Sequence, residues 1–216
     1  DSLLQFSYFH FLEPFFFKLY QNVLFMTVSQ STKDDLKKFR IKEQNVRIIQ
    51  NGITSTPSSE HKEKKPTIIY LGRLSEDKGI QDALDAFVFI HEELRDAMFW
   101  IVGKEEHKGY KDKLTNTSSF LKIRDCVQFF GFVQEKKKSD LLKRAWILIH
   151  PSIKEGWGLT VIEAARQATP TVAYKSAGLS DSIQDQKTGW LVKEKTPQEL
   201  GKAIINLCTN RAFYDK

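Results

Sequence analysis

The sequence predicts an α/β fold, a parallel β-sheet with helices on both faces, over most of its length. Two observations carry this. From Thr67 onward short apolar strands and helical segments alternate five or six times, as expected when each crossover between parallel strands is a helix. The 216 residues, 41 % of them hydrophobic, also suffice for one full domain plus a piece of another.

The elements follow in order. The apolar opening "LLQFSYFHFLEPFFFKLY" is cut by Glu13 and Pro14 into two runs, each well short of the roughly 20 apolar residues of a membrane-spanning helix. Its phenylalanines read as core stripped of a partner or as an interfacial helix resting on lipid. "LFMTVS" is a short buried strand, "STKDDLKKF" a Ser/Thr cap and helix, and "VRII" a second strand closed by Asn51 and Gly52. The polar stretch from Thr54 to Lys65, with Pro57, serines and mixed charge, reads as a linker. Beyond it come "TIIYLG", a helix over 79–94, "MFWIVG", a helix over 110–121, "CVQFFGF" and a helix over 135–145. "WILIHP", a helix over 158–167, "PTVAY", "GWLV" and a helix over 197–208 complete the series. The chain thus divides into residues 1–50, a linker at 51–65, and a domain at 66–216.

The formal charge of +6 is dispersed, with lysine clusters at Lys62–Lys65 and Lys136–Lys138 and no continuous basic arm. These clusters read as solvated surface, or else as a basic face for a phosphate-bearing ligand or an anionic membrane. Nucleic-acid binding fits worst, because the aromatics sit in apolar strands and do not interleave with a basic stripe. The two cysteines, Cys126 in a strand and Cys208 in a helix, lack CxxC or zinc-ligand spacing and read as core thiols of a reducing compartment. No basic region precedes the apolar opening, so no signal peptide is expected and the location reads as cytoplasmic. Asn116-Thr117-Ser118 matches a glycosylation acceptor, a pattern common by chance and discounted in that compartment.

In such sheets ligands bind at the carboxyl ends of the strands, which directs attention to the residues after "YLG", "IVG", "FFG" and "HPS". "YLGRLSEDKGI" sets Gly72 at a strand end and then Arg73 and Lys78 in one crevice loop. Arg can fork two phosphate oxygens and Lys adds a compact charge, so the pair suits a diphosphate; the plainer reading is a surface loop with ordinary cations. In "HPSIKEGWGLTVIEAARQATPTVAY" a strand gives way to a loop and then to a helix, with Leu159, Ile162 and Ala165 to Ala168 expected toward the sheet. The helix's first-turn amides lack intrahelical partners and suit an anion or a ring of hydroxyls, and Gly156 and Gly158 let the backbone come close. Glu155 lies beside those amides. Glu163 stands about 8 Å along the helix axis, but helical side chains tilt back toward the N-terminus. Both carboxylates can then meet one extended polyhydroxylated ligand: Glu155 the hydroxyls of a sugar, Glu163 a ribose. A carboxylate near a helix start is favoured by the macrodipole whatever the function, and nothing in the spacing singles out an acid–base pair.

These stretches, together with "VSQSTKDDL", "NGI", "VQFFGFV" and "KTGWLV", resemble in order and spacing the retaining GT-B glycosyltransferases of glycosyltransferase family 4, over nearly the whole chain. The most specific element is the pair Glu155 and Glu163, separated by seven residues within "EGWGLTVIEA". The resemblance implies that residues 66–216 form the C-terminal Rossmann-like domain of a GT-B fold, which holds a nucleotide-diphosphate sugar with a UDP or GDP carrier. Arg73 and Lys78 then match the pair that neutralises the diphosphate, and Glu155 the glutamate that meets the donor sugar. Gly72 borders the phosphates, Gly156, Trp157 and Gly158 offer amides to the sugar, Leu159, Thr160 and Val161 begin the helix beside the phosphates, and Glu163 binds ribose. Transfer in such enzymes resembles a front-face reaction that needs no metal and no cofactor. The acceptor is a glycan, a lipid-linked or a protein-linked group, with peripheral membrane contact a possible accompaniment.

Three positions depart from the family pattern. Ala168 stands where a glycine is usual, a change of little expected effect; "VGKEEH" lacks a second glycine beside the base; and Asp181 replaces a glutamate, which weakens the expectation of a donor contact there. By the same resemblance, residues 1–50 match only the closing units of an acceptor-side domain, and "NRAFYDK" stops short of the family's final helices. The expectation is a donor-binding part that transfers sugar weakly or not at all by itself. The competing readings are a GT-B sugar-nucleotide 2-epimerase, which the glutamate spacing disfavours, and a non-catalytic sugar-nucleotide or membrane-binding module.

Overall fold

The computed structural model describes residues 12–54 and 58–210. The first apolar run of the opening, Pro57 of the linker and the chain beyond Asn210 lie outside the described residues. The chain forms two compact units, Asp1–Gly52 and Ile53–Lys216.

In the first unit helix α1 (Glu13–Leu19) begins at the Glu13-Pro14 step, where proline's missing N–H costs nothing. Strand β1 (Phe25–Thr27), helix α2 (Gln30–Lys38) and strand β2 (Val46–Ile48) follow, and β1 pairs with β2 in parallel. The cap of α2 lies ahead of the expected Ser31-Thr32: extended Ser29 accepts the Thr32 N–H on its Oγ at 3.2 Å, satisfying one of the first-turn amides. Leu36, Ile41 and Val46 form a small core, against which Phe17, Phe25 and Phe39 pack. Phe15, Phe16 and Leu19 of α1 are exposed.

The second unit carries six parallel strands: β3 (Thr67–Leu71), β4 (Met98–Val102), β5 (Val127–Gly131), β6 (Ile147–His150), β7 (Thr171–Tyr174) and β8 (Gly189–Val192). Helices α3 (Ile80–Glu93), α4 (Tyr110–Phe120), α5 (Glu135–Arg144), α6 (Leu159–Arg166), α7 (Ala177–Ser182) and α8 (Pro197–Thr209) connect or follow them. The spatial order is β5-β4-β3-β6-β7-β8. Alternation along each strand divides the core in two, as the pleat requires. Ile68 and Tyr70 of β3, with Phe99, Ile101, Ile147 and Ile149, pack with residues of α3 and α8, while Ile69, Leu71, Trp100, Val102 and Leu148 pack with residues of α5 and α6. Helices thus cover both faces, and every residue of β3 is buried, the normal setting of a parallel strand.

The expected strands and long helices are present with ends shifted by a residue or two, but β1 is not the buried strand expected: Met26 is 71 % exposed. Helix α7 was not expected: six residues containing Gly178 and two serines carry too little pattern to read as a helix. Cys126 closes a 3-10 turn ahead of β5, so it is not a strand residue, and neither thiol is fully buried. Burial still pushes the Cys208 thiol up to about 12. The linker composition also conceals an attachment. Ser58 donates its N–H to Gln167 and its hydroxyl to Asp140, Arg144 pairs with Glu63, and Trp146 donates to the Glu63 carbonyl at 2.7 Å. Lys62 donates to the Ala145 carbonyl and to Thr169 Oγ1, each at 2.6 Å.

Candidate donor site

Between β3 and β6 the path of the chain across the sheet reverses, which opens a crevice beyond their carboxyl ends. The loops leaving these two strands hold most of the predicted residues. Gly72, Arg73 and Lys78 follow β3; Glu155, Gly156, Trp157 and Gly158 follow β6, and Leu159, Thr160, Val161 and Glu163 continue into α6. The β3 loop is tied to its neighbour by backbone bonds, Gly72 N–H to Val102 O at 3.0 Å and Leu74 N–H to Lys104 O at 2.9 Å. The segment "VGKEEH" therefore runs alongside it, with Leu74 bridging Glu105.

Glu155 is the centre of one charge cluster. Lys78 donates to its Oε1 at 2.7 Å, and His150 Nε2, at the end of β6, lies 3.3 Å from the same oxygen. Burial alone would raise the Glu155 pKa, but the His150 and Lys78 contacts outweigh it and hold the carboxyl down at about 2. At neutral pH Glu155 is therefore ionised and only accepts hydrogen bonds. Its loop is braced from below by Gly178 of α7: a Cβ there would lie 2.1 Å from the Glu155 carbonyl oxygen.

Glu163 anchors a second cluster on the wall of a cavity of about 460 Å³ that Gly72, Arg73, Phe132, Lys138 and Thr160 also line. Lys138 donates to Glu163 Oε1 at 2.7 Å and lies 2.8 Å from Glu135. Burial opposes the charge on Lys138, yet the two glutamates hold its pKa above the ordinary value. Thr160 Oγ1, like Trp157 Nε1 and Ser176 Oγ, is buried without a hydrogen-bond partner among the described residues. Such atoms normally find partners, and of the three residues Thr160 lines the cavity.

Arg73 and Lys78 are not a bare cationic pair. The Arg73 guanidinium donates to Glu106 at 2.5 Å and lies 3.6 Å from Asp77, whereas Lys78 turns to Glu155. Arg73 borders the 460 Å³ cavity and Lys78 does not.

Helix α6 presents a different face from the one expected. Val161 and Ala164 are its buried residues; Leu159 is 43 % exposed and lines the cavity, Ile162 is half-buried, and Ala165 and Ala168 are exposed. At about 100° per residue Leu159 points some 200° away from Val161, so once Val161 enters the core Leu159 must face the crevice. Gly158 opens the helix in the left-handed region at φ 80°. Ala168 also matters more than expected: it has φ 54°, a conformation costly for any residue with a Cβ. Asp181 lies on α7, the helix that braces the Glu155 loop.

Three members of these clusters, His150, Lys138 and Glu135, are not among the residues the sequence predicts. His150 looked like an ordinary strand end. Lys138 merged into a lysine run, although it precedes the buried Leu141 and Leu142 by three and four residues, the spacing of one helix face.

Residues 53–216 match the family model described as Glycosyl transferases group 1. The chain belongs to this family. Among relatives of this group 1 chain, it is 28 % identical over 90 % of its length to an uncharacterized glycosyltransferase of Methanocaldococcus jannaschii, covering 53 % of that protein. It is 26 % identical over its whole length to the O-antigen chain mannosyltransferase RfbU of Salmonella typhimurium, covering 62 % of it. It therefore spans little more than half the length of these two relatives. Its fold is similar to that of Anabaena HepE, whose crystal structure is a complex with UDP and glucose, at a TM-score of 0.79 and 20 % identity over 89 % of this chain and 55 % of that one. WaaG, a glycosyltransferase involved in lipopolysaccharide biosynthesis, gives a TM-score of 0.76 at 20 % identity over 88 % and 54 %. The group 1 chain thus has the Rossmann-like architecture of the C-terminal half of GT-B enzymes.

Proposed function

We propose that this chain is the donor-binding part of a retaining, family 4 type glycosyltransferase that moves a hexosyl group from a UDP- or GDP-sugar to a glycan, lipid-linked or protein-linked acceptor. The observation that carries this reading is the meeting of Lys78 and Glu155, from the loops after β3 and β6, at 2.7 Å in the crevice where the sheet order reverses. Lys78 and Arg73 bind the diphosphate, with Lys78 shared between Glu155 and phosphate and Arg73 exchanging Glu106 for it. Glu155 accepts hydrogen bonds from the sugar hydroxyls beside the amides of Gly156 to Gly158. Val161 is 2 % exposed and its N–H already donates to the Gly158 carbonyl at 3.0 Å, so it holds the start of the helix, while Leu159 and Thr160 border the ligand with their side chains. Glu163 takes the ribose.

In this reading the glycosidic bond to the diphosphate breaks as the acceptor oxygen approaches the same face of the sugar. The departing phosphate oxygen receives the acceptor proton, and the two cations stabilise the charge that develops on the diphosphate without a metal. An ionised Glu155 stabilises the positive character at the sugar ring.

The test is a titration of the chain with UDP, GDP and ADP by calorimetry and thermal shift, alongside Glu163→Ala and the double variant Arg73→Ala, Lys78→Ala. UDP or GDP at about 100 times its Kd stabilises the fold by roughly 2.7 kcal/mol, and the variants lose that response. A folded, monodisperse chain that binds none of the nucleotides refutes the assignment.

A further inference from the structure

We propose that Lys138 is a positioning residue for Glu163, fixing that carboxylate to receive the ribose hydroxyls of the nucleotide and so setting how strongly the site prefers ribose. This rests on the donor-site reading above. Lys138 and Glu163 come from different helices, α5 and α6, and their side chains are only 19 % and 16 % exposed on the wall of the same cavity. The ammonium engages Oε1 of Glu163 and is itself steadied by Glu135, one turn back on α5. One carboxylate oxygen held by the lysine leaves the other, Oε2, for a ligand hydroxyl. A glutamate without this partner keeps its rotamer freedom until a ligand arrives and must be ordered at that moment, at the expense of affinity.

The neighbouring sequence sharpens the contrast. Lys136 and Lys137 are exposed and Lys138 is not, so one lysine of three is turned into the site while the others face solvent. A lysine that merely braced α5 against α6 would affect all ligands of the pocket alike. A lysine that sets the carboxylate affects only those with ribose hydroxyls.

The experiment measures binding of UDP and GDP, and of their 2′,3′-dideoxy analogues, to the full chain carrying Lys138→Met, Lys138→Arg, Glu163→Ala or Lys138→Met with Glu163→Ala; Lys137→Met serves as the exposed control. Lys138→Met is expected to weaken the natural nucleotide by roughly three- to tenfold, the scale of ordering one flexible side chain, and to leave the dideoxy analogue unchanged. Lys138→Arg restores most of the loss, and in the Glu163→Ala background Lys138→Met has no further effect. Equal losses for natural and dideoxy nucleotides, no loss at all, or a full loss on top of Glu163→Ala each overturn the positioning role while leaving the donor site standing. A folded parent chain that binds neither UDP nor GDP overturns the site reading and this inference together.

Discussion

Replacing Gly178 by alanine tests how tightly the Glu155 loop is built. The added Cβ would lie 2.1 Å from the Glu155 carbonyl oxygen and 2.7 Å from the carbonyl carbons of Glu155 and Gly156, where ordinary contact begins near 3.4 Å. The shortfall from the nearest atom is 3.4 minus 2.1, about 1.3 Å, and every atom met is backbone, so no side chain can swing aside. Either the loop retreats or α7 does. Overpacking of this kind costs roughly 1 to 3 kcal/mol, which for a chain of this size lowers Tm by roughly 2 to 12 °C. Because the displaced loop carries Glu155, the proposed donor site is expected to lose nucleotide-sugar affinity as well. Scanning calorimetry and donor titration read the two effects, with Gly156→Ala as the comparison, since a Cβ at Gly156 meets nothing within 4 Å. Gly156→Ala leaves Tm within about a degree. A Gly178→Ala protein that melts with the parent, or shifts no more than Gly156→Ala, would falsify the claim that this contact holds the loop.

Three further outcomes follow from the same structure. Ala168→Gly relieves a left-handed alanine and is expected to stabilise by about 0.5 to 1 kcal/mol, the relief of backbone strain less the entropy of a more flexible unfolded chain; an unchanged or lower denaturation midpoint contradicts it. Glu155 has a folded pKa near 2, below its ordinary 4.5, so its contribution to stability is complete above about pH 4.5 and fades as the pH falls toward 2. The gap between the parent and Glu155→Gln, about 1 to 2 kcal/mol after solvent screening, should close over that window in urea titrations, and a constant gap would mean that the ion pairs do not set it. Burial pulls the Lys62 ammonium from 10.5 down to about 7, with Lys143 adding repulsion. Between these values the unfolded chain holds a proton the folded one has released, so stability rises with pH by up to about 1.4 kcal/mol per unit. Lys62→Met should flatten that rise, and an identical slope in both proteins would remove Lys62 as its source.

What could be read in the residues depended on length and repetition. Strands β3, β4 and β6 were legible because four or five consecutive apolar residues, ending at glycine or at a His-Pro step, admit few other conformations between long helical segments. The motif "EGWGLTVIEA" was legible because its two glutamates keep a fixed spacing at a strand-to-helix turn. Helix α7 was not, since six residues contain less than two turns of pattern. The buried side of α6 was misjudged because alanines decorate both faces of that helix; only Gly158, which sets where the helix begins, fixes its phase. His150 and Lys138 were hidden for another reason. Their roles come from what lies across the crevice, a long-range pairing of single residues that leaves no local period. The left-handed Ala168 shows a related limit, because a backbone angle is visible in sequence only when glycine announces it.

The burial of β3 and β6 side by side at the middle of the sheet has a consequence for how this protein can change. The groups that would grip a diphosphate hang from two central, wholly buried strands, while β5 and β8 form the margins of the sheet. Substitutions in the loops at those margins can reshape what lies at either end of a ligand without moving Lys78 against Glu155. Redesign of ligand preference should therefore begin after β5, around Phe132 and Val133, with the β3 and β6 loops left as they are.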